Sequence, residues 1–114
     1  MTEPPWDEID EGIRPLVRLL YDAGIETGSS CQGGNHSPHA TVLPVVGMAC
    51  SRDEFFRKRN KTVRVMIQAG WSGFSITHED RFDYQKMVTP WACIPTLVVT
   101  VWTLKDQPGT LEKV

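Results

Sequence analysis

The chain has 114 residues, of which 40% are hydrophobic and 23% charged, and its formal net charge at pH 7 is −2. This length suits one domain with one core, and the composition excludes a disordered or collagen-like chain. No apolar stretch approaches the roughly 20 residues that a membrane-spanning helix needs. We therefore predict a single soluble domain over residues 1–114, with a flexible arm at 1–8 and a tail at 106–114.

The first predicted element is an amphipathic helix. Its apolar positions recur with the 3.6-residue period of a helix: Ile9, Ile13, Leu16, Val17 and Leu20. Pro15 lacks a backbone N–H group, so we expect the regular helix to start no more than one turn before it. Gly24 suits the left-handed conformation that ends many helices, and it marks the predicted end.

Two short strands are predicted to follow, at 25–30 and 40–46. Pro44 cannot donate a hydrogen bond to a neighbouring strand, which assigns the second strand to a sheet edge. Residues 31–39 between them are rich in glycine, serine, proline and histidine, a composition typical of a loop. The sequence therefore predicts a polar loop at the end of the first strand.

A second helix is predicted between a start signal at Ser51 and a stop at Gly70. Ser51 and Glu54 have the spacing of a capping box, in which each side chain bonds the other residue's backbone N–H group. The predicted buried side consists of Phe55, Phe56, Val63, Met66 and Ile67. This segment also holds six of the twelve Lys and Arg residues. Such a cluster marks a phosphate-bearing partner or forms the solvated side of a helix.

The last third of the chain predicts two further strands, at 73–78 and 96–104, with a long loop between them that carries Arg81, Trp91 and Cys93. His78, at the end of the first of these strands, is expected on the surface. Strand alternation divides the apolar residues of the last strand between two faces: Leu97, Val99 and Val101 on one, and Val98, Trp102 and Leu104 on the other.

The predicted order α-β-β-α-β-β favours an α+β fold. We expect a two-layer domain in which a four-stranded, mostly antiparallel sheet carries two helices on one face. The opposite face would then leave the second apolar set of the last strand exposed to water. Because that exposure is unfavourable, we predict a homo-oligomer with Trp102 at the centre of its interface.

The densest group of polar side chains lies at the end of the first predicted strand and in the loop after it. Gly33 and Gly34 accept left-handed backbone conformations, which lets successive N–H groups converge on an anion. The hydroxyl, thiol, amide and imidazole groups around them can bond a phosphate or a base edge. The candidate ligand-binding residues are Thr27, Ser29, Ser30, Cys31, Gln32, Gly33, Gly34, His36 and His39.

Four other interpretations of this loop stay open at the level of sequence. Its small polar residues can satisfy one another in a hairpin. Cys31, His36 and His39 can be considered as zinc ligands, although their spacing is loose and no second pair accompanies them. Cys31 as a nucleophile would need an activating base and an orienting partner, and the two histidines could act as acid and base on a phosphodiester. We predict neither a bound metal nor a cofactor.

Two blocks of the sequence resemble known families. Thr27-Gly-Ser-Ser-Cys-Gln-Gly-Gly34 resembles the Ser-Cys-Gln-Gly signature of small, mostly uncharacterised bacteriophage proteins, a resemblance that covers roughly residues 9–104. The same block, with Ala69-Gly-Trp-Ser-Gly-Phe-Ser75, is similar to the core of wybutosine-synthesising protein 3, a tRNA-modifying methyltransferase family. That family has serine in place of Gln32 and arginine in place of Gly34, and its chains are far longer.

The phage resemblance implies a small protein that captures a nucleotide-like, phosphate-bearing ligand, because such proteins include ones that sequester the nucleotide signals of bacterial immunity. We therefore expect a non-catalytic, homo-oligomeric binder with a role in anti-defence. The alternatives are an enzyme acting on a nucleotide, as a phosphodiesterase or a methyltransferase relative, and a protein-binding inhibitor.

Charge and cysteine content bear on partners and location. The acidic N-terminal third and the net charge of −2 argue against nucleic acid as the partner, and no membrane partner is expected. The N-terminus lacks the features of a signal peptide, and the three cysteines are an odd number. Both observations predict reduced thiols and a cytoplasmic location, which is the host cell's cytoplasm if a phage encodes the protein.

Overall fold

The computed structural model describes residues 3–34, 42–82, 93–102 and 104 of the chain. Two α-helices and four strands follow one another in the predicted order: α1 at Arg14–Asp22, β1 at Ser29–Cys31, β2 at Val45–Ala49, α2 at Phe55–Gln68, β3 at Phe74–Phe82 and β4 at Cys93–Val101. The strands pair in antiparallel fashion. The predicted α+β class is thereby confirmed.

The sheet has the strand order β1-β2-β4-β3, so β2 is an inner strand. The prediction that Pro44 places this strand at an edge is wrong, because β2 begins one residue later and pairs with both β1 and β4. Pro44 contributes its carbonyl oxygen instead, which accepts a hydrogen bond from the N–H group of Val101 at 2.9 Å. Proline lacks only the donor, so it is compatible with this position.

The strands differ in extent from the prediction. β1 is shorter and begins later than 25–30, and β2 begins later than 40–46. β3 and β4 have nine residues each and include Arg81 and Cys93, which the sequence assigned to the loop between them. The predicted strand ended at residue 78 because charged residues follow it in the sequence. An edge strand commonly carries charges, so these residues belong to β3. Trp91 lies outside the described residues.

One hydrophobic core joins both helices to alternate residues of the sheet. Ile13, Leu16, Val17 and Leu20 contribute from the first helical segment and Met66 from α2; the sheet contributes Val46, Met48, Leu97, Val99 and Val101. Leu104 also packs against this core, so its assignment to the opposite face is wrong. β4 ends at Val101, and strand alternation does not extend past that residue. Trp102 is 54% exposed.

The buried side of α2 also differs from the prediction. Phe55 packs against the core, whereas Phe56 and Ile67 are 66% and 59% exposed. Adjacent helical residues point about 100° apart, and the rotation of α2 that packs Phe55 against the core turns Phe56 towards solvent. Thr62 is fully buried, and its hydroxyl donates to the carbonyl oxygen of Lys58 at 2.8 Å. That hydrogen bond makes the burial of a threonine acceptable.

The two helices begin differently. α1 begins at Arg14, so Pro15 lies in the first turn, where its missing N–H group costs nothing; this agrees with the predicted start. Before α2, the side chain of Ser51 makes no capping hydrogen bond, and the predicted capping box is wrong. The Glu54 carboxylate pairs instead with Lys58 Nζ at 3.0 Å. Neither helix of the described chain has the length and apolar character needed to cross a membrane.

The two helices end in the same way. Gly24 and Gly70 have φ angles of +79° and +90°, in the left-handed region that glycine adopts without strain. The residue after each glycine, Ile25 or Trp71, donates its N–H group at 2.9 Å to the carbonyl oxygen five residues back. This is the Schellman arrangement. Ile25 and Trp71 are 8% and 4% exposed, so each helix end leads directly into a buried side chain.

Candidate functional site

The structure separates the predicted binding residues of β1 and its approach. Thr27, two residues before the strand, lines a cavity beside α2. Ser29 points to the sheet face away from the core, where its Oγ lies 2.7 Å from the position that a Cβ on Gly47 would occupy. Ser30 and Cys31 follow on β1, both half-buried. Strand alternation therefore prevents these side chains from forming one wall.

Gln32 is engaged in a structural contact. Its Oε1 accepts a hydrogen bond from the N–H group of Gly12 at 2.8 Å. Its own N–H group donates to Oδ2 of Asp10 at 3.1 Å. These two bonds attach the segment after β1 to the turn before α1, so the side-chain oxygen of Gln32 already has a partner within the chain.

Gly33 and Gly34 adopt the left-handed conformation that the sequence predicted, with φ angles of +83° and +90°. Their N–H groups bond within the chain, to Cys31 Sγ at 3.3 Å and to the carbonyl oxygen of Val42 at 3.0 Å. The glycines therefore shape the turn, and their N–H groups do not converge on an open anion site. The two remaining candidates, His36 and His39, lie outside the described residues.

A cavity of about 480 Å³ lies between residues 24–28, the end of β2 and the first turns of α2. Ile25 and Met48, both almost fully buried, form an apolar part of its lining. The polar part contains three basic side chains of α2 together with a hydroxyl and a carboxylate from the segment before β1: Arg57, Lys58, Lys61, Thr27 and Glu26. The cavity thus combines an apolar surface with an excess of positive charge.

The three basic side chains of the cavity differ in their contacts. Lys58 is the most constrained, because its Nζ donates to the carbonyl oxygen of Ala49 at 3.1 Å and also pairs with Glu54. Arg57 lies 3.6 Å from the same carboxylate, and its side chain is 76% exposed. The hydrogen bond and the charge of Lys58 lower the pKa of Glu54 below its ordinary value. That carboxylate therefore stays ionised and partly neutralises two of the three cations.

Lys61 is the third cation. Its Nζ lies 3.8 Å from the position that a Cβ on Gly24 would occupy, which brings the ammonium group over the segment that forms the opposite wall. In the part of the chain that the structure describes, no carboxylate pairs with it. Lys61 is exposed, so its ammonium group is accessible to an anion.

The contribution of α2 to this cavity was missed at the level of sequence, where its basic cluster and the polar loop were separate features. A signal was available in the spacing of Lys58, Thr62 and Met66, which lie four residues apart on one helical stripe. Met66 belongs to the core, so this stripe directs Lys58 towards the sheet rather than towards bulk water.

His78 is not a simple surface residue, and that prediction is wrong. Its Nε2–H group donates to the carbonyl oxygen of Cys50 at 2.6 Å. Its ring packs edge-on against Phe55, with the ring centroids 5.4 Å apart. The histidine thereby connects β3 to the segment between β2 and α2, and burial raises the pKa of the neighbouring Cys50 thiol.

The described residues contain no group of three or more His, Cys, Asp or Glu side chains that could hold a metal ion. The lining of the 480 Å³ cavity is cationic and partly apolar. The resemblances to phage proteins and to wybutosine-synthesising protein 3 stay predictions. Comparisons of this chain with protein-family models, with curated proteins and with solved structures gave no match.

Proposed function

We propose that this chain binds a small, phosphate-bearing, nucleotide-like ligand in the cavity beside α2 and releases it unchanged. The observation that carries this proposal is the placement of Lys61, whose ammonium group lies at the cavity wall without a carboxylate partner in the described chain. A phosphate group would supply the missing negative charge. Arg57 and the hydroxyl of Thr27, on the same cavity, are available as further donors.

The size and lining of the cavity favour a nucleotide over free phosphate. Its volume of about 480 Å³ lies within the range of roughly 300–1,000 Å³ that is usual for small-molecule sites. Of the apolar residues that line the cavity, Ala49 is exposed, and a base or sugar can pack against it. The basic side chains of α2 lie on the same cavity and would hold the phosphates. Capture of this kind fits the sequestering role that the phage resemblance implies.

Calorimetric titration of the full chain at low ionic strength tests the proposal, with ADP and a cyclic dinucleotide as test ligands and adenosine as the uncharged comparison. Lys61→Met removes the charge but keeps the aliphatic stem. Arg52→Met is the matched control, because Arg52 precedes α2 and does not line the cavity. We expect at least one phosphate-bearing ligand to bind, and Lys61→Met to weaken it about tenfold, or about 1.4 kcal/mol.

A control variant and a mass spectrum of the ligand complete the test. Arg52→Met should keep the affinity within about twofold, because exposed charges outside a site contribute little to binding. A mass spectrum of the recovered ligand should be that of the starting compound. Absence of binding for both phosphate-bearing ligands, or equal losses in the two variants, would contradict the proposal. A hydrolysed or methylated ligand would support the enzyme alternative instead.

A further inference from the structure

The outer edge of β3 has no neighbouring strand among the residues that the structure describes. β3 pairs with β4 at all nine of its residues, and it is the last strand in the sheet order. No other strand of the described chain pairs with it. The backbone N–H and C=O groups along such an edge are a template for a strand from another chain, and β3 contains no proline that would prevent the pairing.

A groove with both apolar and polar side chains in its lining lies beside the first residues of this edge. It has a volume of about 520 Å³, and Val63 of α2 faces Phe74 and Ile76 of β3 across it. Phe56 and Ile67, which are 66% and 59% exposed, lie seven residues before and four residues after Val63 on the same stripe of α2. The exposed apolar side chains of α2 and the open edge of β3 thus form one continuous surface. Burial of such a surface against a partner is favourable.

The charges beside the groove complement charges on the strand itself. Arg59 and Arg64 line the groove next to Phe74. Asp80, near the other end of β3, is exposed and shares the strand face of Phe74 and Ile76, since alternate residues share a face. Within the described residues, neither Asp80 nor Arg64 has an ion-pair partner. As far as the described chain goes, this surface therefore has a cation without an ion-pair partner at one end and an anion without one at the other.

In two copies related by a two-fold axis, the cation of each copy would pair with the anion of the other. If β3 pairs antiparallel with β3 of a second copy around residue 77 or 78, Asp80 of that copy lies opposite the segment from Phe74 to Ile76. There it faces Arg64 and Arg59 of the first copy, and the same contact forms again by symmetry. We propose that the edge of β3 and the exposed stripe of α2 are the interface of a homodimer with one continuous eight-stranded sheet.

This interface lies on a different surface from the one centred on Trp102 that the sequence predicted. It is also independent of the proposed ligand site, because Arg64, Phe74 and Asp80 are not among the residues of the 480 Å³ cavity. Failure of ligand binding and failure of dimerisation can therefore be told apart. A charge exchange gives the sharpest test, since Asp80 and Arg64 are both exposed and neither packs in the core.

Sedimentation velocity of the full chain at about 10–100 µM measures the oligomeric state, which depends on concentration by mass action. We expect a dimer for the unmodified chain and a monomer for Asp80→Arg, in which like charges would face each other. Asp80→Arg combined with Arg64→Asp should restore the dimer. Asp7→Arg, an exposed charge reversal outside β3 and α2, should stay dimeric, and circular dichroism should show the same fold in all four proteins.

Three outcomes would overturn this interface. The first is a monomeric unmodified chain over the whole concentration range. The second is a dimer that Asp80→Arg leaves intact, above all if Trp102→Ser disrupts it. The third is a monomeric Asp80→Arg protein that Arg64→Asp does not restore, because direct contact between the two charges predicts recovery.

Discussion

The side-chain oxygen of Gln32 lies 2.8 Å from the backbone nitrogen of Gly12 and accepts its hydrogen. A Cβ on Gly12 would lie 2.8 Å from that same oxygen, so a glycine at this position leaves the space that the bond requires. The contact joins residues twenty positions apart. It fixes how the chain enters α1, whose first buried residues follow immediately.

Gln32→Ala should therefore destabilise the fold. Loss of the acceptor leaves the half-buried N–H group of Gly12 without this partner, which costs about 1–2 kcal/mol of unfolding free energy. Urea denaturation measures the loss. Gln68→Ala is the matched control, because Gln68 is exposed at the end of α2, and we expect a change within about 0.5 kcal/mol. Equal stabilities for the two variants would show that the Gln32 contact contributes nothing.

Neighbouring glycines after β1 should respond differently to alanine. Gly33 has a φ of +83°, and its Cβ would lie 2.8 Å from backbone atoms of Leu43 and Pro44. Gly34 has a φ of +90° and open space around the Cβ position. Gly34→Ala should cost about 1 kcal/mol from backbone strain alone, and Gly33→Ala at least about 2 kcal/mol because a steric clash adds to it. Thermal unfolding of both variants checks the order, and the reverse order would contradict it.

Acid should remove a contribution that Glu54 makes to stability. The hydrogen bond and charge of Lys58, and then the charge of Arg57, lower the pKa of the Glu54 carboxyl below its ordinary value of 4.5. The folded state binds this proton less readily than the unfolded state, so the contribution is present above the ordinary pKa and is lost as the pH falls through the lower folded pKa. Urea midpoints of the unmodified chain and Glu54→Gln should therefore differ at neutral pH and converge on acidification. A constant difference would contradict this linkage.

The thiol of Cys50 should react slowly in the folded protein. It is 3% exposed, and burial raises its pKa above the ordinary value of 9.0, so little of the reactive thiolate forms. Alkylation with iodoacetamide, followed by peptide mass spectrometry, should label Cys50 much more slowly than the half-buried Cys31. In urea the two rates should become similar. Equal rates in the native protein would show that the Cys50 site opens readily.

The sequence predicted correctly those elements that depend only on residues close to one another along the chain. The period from Ile13 to Leu20 and the glycine at 24 located α1 because spacing and a left-handed end depend only on nearby residues. The predicted capping box at Ser51 is wrong, and the cause is again a contact between residues close in sequence. The Glu54 carboxylate has a closer competitor in Lys58, one helical turn away, and a sequence pattern does not rank two available partners.

The candidate cavity depends on contacts that no local pattern contains. Thr27 and the basic cluster of α2 were both noted in the sequence, but they meet only because Ser29–Cys31 pairs with β2 and because α2 buries Thr62 instead of Phe56. The rotation of a helix about its axis is set by the packing of the whole core. Hydrophobicity alone favoured Phe56 over Thr62 as the buried residue. The helix rotation predicted in this way was wrong, and it placed the basic side chains in solvent.

The shared ending of the two helices limits how this chain can change in length. Ile25 and Trp71 enter the core one position after the terminal glycine of each helix. The number of residues in each helix therefore determines where the next buried side chain lies. Adding or removing one residue within α1 or α2 rotates everything beyond it by about 100° and carries that side chain out of register with the sheet. Substitutions within α1 and α2 are therefore tolerated more easily than insertions or deletions there. We expect insertions to be accepted outside these two segments.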